Sequence, residues 1–197
     1  MKVVIIKYNA GNIRSVLFAL ERIGITAIVT DDHEEIRSAD RVIFPGVGEA
    51  SSAMKYLREK GLDKLICSLT QPVLGICLGM QLMCSFSEEN NTTCLGIFDQ
   101  HVKLFPVDGF KIPQIGWNNI TDLKSDLFQG IDENAYMYFV HSYYVEKCEI
   151  AIALTNYISE YSSAVHKDNF YAVQFHPEKS GESGQKILEN FIFNLSN

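Results

Sequence analysis

Pro72-Val73-Leu74-Gly75-Ile76-Cys77-Leu78-Gly79-Met80-Gln81 is the stretch on which the reading of this 197-residue chain turns. An apolar run of strand length ends at a cysteine, and the residues after it, Leu78 to Phe86, carry a helical pattern. Gly75 and Gly79 flank the cysteine, as a sharp strand-to-helix turn requires where two backbones approach closely. Cys77 therefore falls at the carboxyl end of a strand and at a helix N-terminus, where the local field favours a thiolate. Standing alone, the motif also fits a buried cysteine between incidental glycines.

Working outward toward the N-terminus, the same alternation repeats. Val3-Val4-Ile5-Ile6 reads as a strand buried on both faces. The turn-like Asn9-Ala10-Gly11-Asn12 follows, and then an amphipathic helix with Val16, Leu17, Leu20 and Ile23 on one face. Ala27-Ile28-Val29-Thr30 is a second strand, Asp31 to Glu35 opens a short helix, and Arg41-Val42-Ile43-Phe44 is a third strand ending at Pro45-Gly46. Ser51 to Glu59 and Leu62 to Leu69 read as helices. Strand-helix alternation of this kind predicts an α/β fold with a mostly parallel central sheet flanked by helices. Open sheets of that type place ligands at the carboxyl ends of their strands, where Cys77 lies.

After Asn90-Asn91 the pattern changes to short strands: Val102 to Phe105, Tyr136 to Val140, Ile150 to Leu154, Ser163 to Val165 and Tyr171 to Phe175. The C-terminal half is thus expected to be more antiparallel or mixed, closed by a helix over Gly184 to Leu195 with Ile187, Leu188, Phe191 and Leu195 on its apolar face. No repeat or linker interrupts the chain, so residues 1–197 are expected to form one domain.

Composition narrows the function classes. An apolar share of 47%, a charged share of 21% and a net charge of -7 fit a soluble globular chain. No stretch clusters Lys and Arg with interleaved aromatics, so nucleic acid is not an expected partner. The N-terminal apolar run turns polar at once, so neither a signal peptide nor a membrane span is expected, and the location is read as cytoplasmic. Five cysteines lack Cys-x-x-Cys spacing, which points away from a disulfide framework, a metal site or a cofactor site. Cys67, Cys84, Cys94 and Cys148 are read as small buried or half-buried apolar residues.

A hundred residues beyond Cys77 stands Gln174-Phe175-His176-Pro177-Glu178. In an extended segment, residues two apart share a side, so His176 and Glu178 emerge together, with Pro177 discouraging helix. Glu178 can then hold the imidazole tautomer while the other ring nitrogen faces Cys77, a nucleophile, base and orienter in the order Cys-His-Glu. Pro45-Gly46-Val47-Gly48 can present backbone N–H groups to an oxyanion. On spacing alone an ordinary turn is the plainer reading of that loop. Gln81, four residues after Cys77, returns to the same helical side.

These motifs resemble the class I glutamine amidotransferases, and within them the glutaminases of histidine biosynthesis. The likeness is carried by Ala10-Gly11-Asn12-Ile13-Arg14-Ser15, Pro45-Gly46-Val47-Gly48, Gly75 to Gln81, Ser87-Glu88-Glu89, Gly116-Trp117-Asn118, Tyr138 to Tyr143 and Gln174 to Ser180. The resemblance implies that Cys77 attacks the side-chain amide of glutamine, forming a glutamyl thioester and releasing ammonia, and that His176 and Glu178 complete the triad. It implies an oxyanion hole from Val47, Gly48 and Leu78, and glutamine binding by Gly48, Gln81, Glu89, Ser142 and Tyr143. It also implies a heterodimer with a separate (βα)8-barrel cyclase. That partner would use the ammonia to make imidazole glycerol phosphate and aminoimidazole-carboxamide ribotide, and Asn12, Trp117, Asn118, Tyr138 and Lys179 would face it.

Two departures stand out. The family commonly has an acidic residue at the position of Lys7, and His-Met at the position of Gln114-Ile115, the latter near the expected docking surface. The alternatives are the same glutaminase serving another cyclase-like partner, such as one amidating a surface sugar, a non-catalytic interaction subunit, and a solitary hydrolase.

Overall fold

A computed structural model describes residues 1–8, 11–107 and 109–195; Asn9 and Ala10 of the expected first turn lie outside them. Strand β1 (Val3–Ile6) is buried along its whole length and leads to helix α1 (Ile13–Arg22). Strand β2 (Ile28–Thr30) follows, then helix α2 (His33–Arg37), whose N-cap Asp32 accepts from the Glu34 and Glu35 N–H groups at 3.0 and 2.9 Å. Next come β3 (Arg41–Gly46), α3 (Ala50–Glu59), α4 (Leu62–Cys67), β4 (Val73–Cys77) and α5 (Leu78–Met83).

The second half runs through β5 (Cys84–Ser87), β6 (Thr92–Thr93), β7 (Phe98–Leu104), β8 (Gln114–Asn119), β9 (Tyr136–His141), β10 (Tyr143–Glu146), β11 (Ala151–Asn156), β12 (Glu160–Lys167) and β13 (Phe170–Val173). Helix α6 (Gly181–Glu189) and a π-helical turn over Asn190–Asn194 complete the described fold.

The main sheet runs β2-β1-β3-β4-β13-β12-β10-β7-β5-β6, with β11 added on β12, while β8 and β9 form a separate ribbon. The first five strands are mutually parallel and the pairs from β13 through β7 are antiparallel, as the change of pattern after Asn91 predicts. Because side chains alternate along a strand, β1 feeds two cores. Val4 and Ile6 join Phe44, Met54, Leu57 and Ile66 on one face, and Val3 and Ile5 join Val16, Leu20, Leu188 and Phe191 on the other. Helices on both faces explain why the parallel strands read as continuous apolar runs.

Several expectations need correction. The helix from Leu78 stops at Met83 rather than Phe86. Cys84 is extended (ψ 175°), and its carbonyl and that of Ser85 accept from Gly96 and Cys94 N–H groups at 2.8 and 3.0 Å, so strand pairing outcompetes a further helical turn. Pro177–Lys179 is a short 3₁₀ turn, not extended backbone, with proline at its first position, where no backbone donor is needed. Cys67 is exposed. Gln114 is buried while its neighbour Ile115 is exposed, so that departure straddles the inside and the surface. Among the described residues, no helix is long and apolar enough to cross a membrane, and no group of three or more His, Cys, Asp or Glu is placed to hold a metal ion.

Candidate active site

Cys77 ends β4 with φ 54° and ψ -108°, a backbone conformation that side-chain-bearing residues adopt only at a cost of about 1–3 kcal/mol. The turn is held by what its glycines permit. A Cβ at Gly79 would collide with the Phe44 carbonyl of β3, and one at Gly75 would press on Met83 and the backbone of α5. In register, Cys77 lies opposite Gly46 of β3, and β13 runs parallel on the other side with Val173 opposite Ile76. The residues following these strands therefore converge at the carboxyl end of the parallel half of the sheet, where open α/β sheets place ligands.

From β13 the chain continues through Gln174 and Phe175 to His176. The His176 and Glu178 side chains meet through the 3₁₀ turn, Nδ1 to Oε1 at 2.8 Å, and both are almost wholly buried. The same Glu178 oxygen accepts from the Asn12 side-chain amide. The turn is fastened to β9: His176 N–H donates to the Tyr138 carbonyl at 2.9 Å, Tyr138 N–H donates to Ser180 Oγ at 2.9 Å, and Ser180 Oγ donates to the His176 carbonyl at 2.6 Å.

Burial opposes charge on His176, but the facing Cys77 sulfur and the Glu178 carboxylate outweigh it and raise its pKa to about 10. The pairing favours an imidazolium beside the sulfur. Cys77 Sγ is also 3.9 Å from the Val140 carbonyl and 3.7 Å from Gln174 Nε2.

Beside Cys77 opens a cavity of about 260 Å³, lined by Val47, Gly48, Leu78, Gln81, Glu89 and Tyr143 together with Pro113, Val140, His141 and Ser142. The oxyanion-loop and glutamine-site residues expected from sequence are thus brought onto one cavity with the cysteine. Gly48 has φ 119°, a value suited to glycine. Leu78 is the first residue of α5, so its N–H has no intrahelical partner. Glu89 accepts from Ala50 N–H at 2.7 Å, and partial burial raises its pKa. Gln81 spends its side-chain N–H groups on the Tyr143 carbonyl and on Gln174 Oε1, both at 3.0 Å.

His141, at the end of β9, is neutral: burial pushes its pKa down to about 4, against the opposing bond to the Tyr143 carbonyl. Its Nδ1 donates to that carbonyl at 2.7 Å, its Nε2 lies 3.2 Å from Tyr161 Oη, and Tyr161 Oη lies 3.1 Å from the Gln114 side-chain amide.

The expected partner-facing residues divide. Trp117 is 55% exposed and stands edge-on to Tyr138, over whose ring Lys179 Nζ sits at 5.8 Å. Ile115 and Tyr136 extend this exposed apolar face on the ribbon. Asn118 instead ties the ribbon to the Asn156 carbonyl at 2.9 Å, and Asn12 is half-buried on Glu178. Both have structural work in addition to any surface they present.

Sequence reasoning assigned no part to Gln174, His141, Val140 or Pro113. The first was findable, since it lies two residues before His176 and level with Cys77 in a parallel pairing. Pro113 gave no signal, because only the folded chain brings its loop to the cavity.

The glutamine amidotransferase class-I family model matches residues 4–195. The imidazole glycerol phosphate synthase subunit HisH of Bacteroides fragilis is 60% identical over 98% of this chain and 99% of its own length. The Haemophilus influenzae subunit of the same name is 47% identical over 98% of this chain and 97% of its own. A crystal structure of a glutamine amidotransferase, 19% identical, superposes with a TM-score of 0.74 over 95% of this chain and 98% of that one, a likeness of fold.

Proposed function

The chain belongs to the class-I glutamine amidotransferase family, and from that membership we propose that it is the glutaminase subunit of an imidazole glycerol phosphate synthase, acting in the cytoplasm. It hydrolyses glutamine and passes the ammonia to a separate (βα)8-barrel cyclase, which makes imidazole glycerol phosphate and aminoimidazole-carboxamide ribotide in histidine biosynthesis. The observation that carries the chemistry is the buried His176–Glu178 pair coupled to Cys77 on a strained turn that opens into the cavity.

Cys77 Sγ attacks the side-chain carbonyl carbon of glutamine, and the oxyanion that forms is received by the Val47–Gly48 peptide and the Leu78 N–H. Collapse of this intermediate breaks the C–N bond, with His176 giving its proton to the departing nitrogen, so ammonia leaves and a glutamyl thioester remains. His176 then takes a proton from water, the resulting hydroxide attacks the thioester, and glutamate is freed with the thiolate restored. Glu178, held in turn by Asn12, keeps Nδ1 protonated and aims Nε2 at the sulfur. Gln81, Glu89, Ser142 and Tyr143 recognise the amino-acid head of glutamine. Trp117, Tyr138 and Lys179 contact the cyclase, with Asn12 and Asn118 at the margin of that contact. Full-length similarity to subunits of imidazole glycerol phosphate synthase supports the choice of pathway.

Glutamate release from glutamine is to be measured for the chain alone, with the histidine-pathway cyclase, and with that cyclase plus its nucleotide ligand. Strong stimulation in the last condition, abolished by Cys77→Ala, is expected. High activity without partner indicates an independent hydrolase, and indifference to this cyclase indicates another acceptor.

A further inference from the structure

Gln174 is fully buried in the first position past β13, level with Cys77 on the neighbouring parallel strand. Its main chain is fixed by an N–H bond to the Ser163 carbonyl at 2.8 Å. Its side chain lies between two others: Gln81 Nε2 donates to Gln174 Oε1 at 3.0 Å, and Gln174 Nε2 is 3.7 Å from Cys77 Sγ.

The direction of this chain follows from one atom. The Tyr143 carbonyl can only accept, so the end of Gln81 turned to it, at 3.0 Å, is the NH₂ group. That same NH₂ faces Gln174, which must answer with its carbonyl oxygen, leaving its own NH₂ for the sulfur. Turning the Gln174 amide over would set two NH₂ groups against each other. An amide N–H can only donate, so it favours the thiolate over the thiol and restrains where the sulfur sits.

We infer that Gln174 is a positioning residue for the nucleophile: its side-chain N–H holds the Cys77 sulfur toward the cavity, and the Tyr143 carbonyl, through Gln81, fixes its orientation. The inference rests on the role of Cys77 proposed above. Gln81 and Tyr143 both line the cavity, so the wall that receives the substrate and the group that holds the nucleophile form one hydrogen-bonded unit.

The test is Gln174→Met, which keeps volume and an unbranched shape while removing the donor. The rate of Cys77 alkylation by iodoacetamide is followed from pH 5 to 10 at the Cys77 peptide by mass spectrometry, so that exposed Cys67 does not interfere. An alkylation rate lower by on the order of tenfold in the acid limb is expected. The glutaminase kcat falls with it and KM changes less than kcat, because Gln174 does not line the cavity and reaches the substrate only through Gln81.

Gln81→Met, which releases Gln174 Oε1 and lets its amide turn, shifts the alkylation profile the same way by a smaller amount. It keeps the test open if the first variant does not fold. A folded Gln174→Met protein with the wild-type profile overturns the inference, as does one with a lowered Tm but unchanged profile, which marks a structural role alone. Alkylation needs no glutamine turnover, so a chain inactive on glutamine would refute the proposed function and leave this inference to be judged by the profile.

Discussion

The Tyr8 hydroxyl is buried against the Gly46 backbone, next to Phe44, and has no hydrogen-bond partner among the described residues. Burial, with the Cys77 sulfur adding to it, pushes its pKa well up, so it is a neutral phenol carrying an unspent donor. An orphaned buried hydroxyl costs about 1–3 kcal/mol. Tyr8→Phe keeps the ring contacts and removes that cost, so it is expected to stabilise the fold by about 1 kcal/mol, a Tm increase of about 2–4 °C by differential scanning calorimetry.

His141 gives the opposite kind of residue-scale signal. Its pKa is about 4 in the fold against 6.5 for the free side chain. Between those values the unfolded chain holds more protons than the folded one, so stability is intact above pH 6.5 and is lost as pH falls toward 4. The loss is at most about 3 kcal/mol. His141→Gln removes this titration. Its Tm is expected to change less than the wild type's between pH 6.5 and 5, and parallel Tm curves for the two proteins would refute the assignment.

At the scale of elements, the placement of Cys77 depends on how closely α5 lies on β3. Gly79→Ala puts a methyl into the Phe44 carbonyl, and backbone cannot give way as a flexible side chain does. The expected loss is about 3 kcal/mol or more, read as a Tm drop of about 6–12 °C, with slower alkylation of Cys77 as the turn is displaced. This close approach was legible from the Gly75-Ile76-Cys77-Leu78-Gly79 spacing, and so was the parallel half of the sheet, because strands covered on both faces must be apolar throughout. The end of α5 was not legible. Residues Leu82 to Phe86 keep helical spacing, and pairing with β6 and β7, with hydrogen bonds from distant Cys94, Leu95 and Gly96, turns the segment into strand. The meeting of His176 with Glu178 was anticipated, but by an extended path; the 3₁₀ turn depends on anchoring to Tyr138 and Ser180 that no local pattern contains. Ribbon strand β8 was missed as a strand for a related reason, since Gly116 and the polar Asn118-Asn119 depart from strand composition and only pairing with β9 holds them.

At the scale of the whole molecule, the β8–β9 ribbon joins the exposed aromatic face to the chemistry. The Tyr138 side chain packs with Trp117 and Lys179 outside, while its main chain bonds to His176 and to Ser180, and the same strand runs on to Val140 and His141 in the cavity wall. A partner seated on this face therefore bears on the strand to which His176 is bonded. Exposed Trp117 is of the size of the anchors that dominate interfaces, and truncating such an anchor typically costs about 2 kcal/mol or more of binding. Trp117→Ala is expected to raise the Kd for the cyclase by at least about tenfold in titration calorimetry. Its only ring contact among the described residues is edge-on, with Tyr138, so the Tm of the isolated chain should stay within about 2 °C of wild type. A tenfold weaker complex with an unchanged Tm identifies the ribbon as the docking face. An unchanged Kd moves the docking surface elsewhere, and a Tm that falls along with affinity makes Trp117 a part of the fold rather than a contact for the partner.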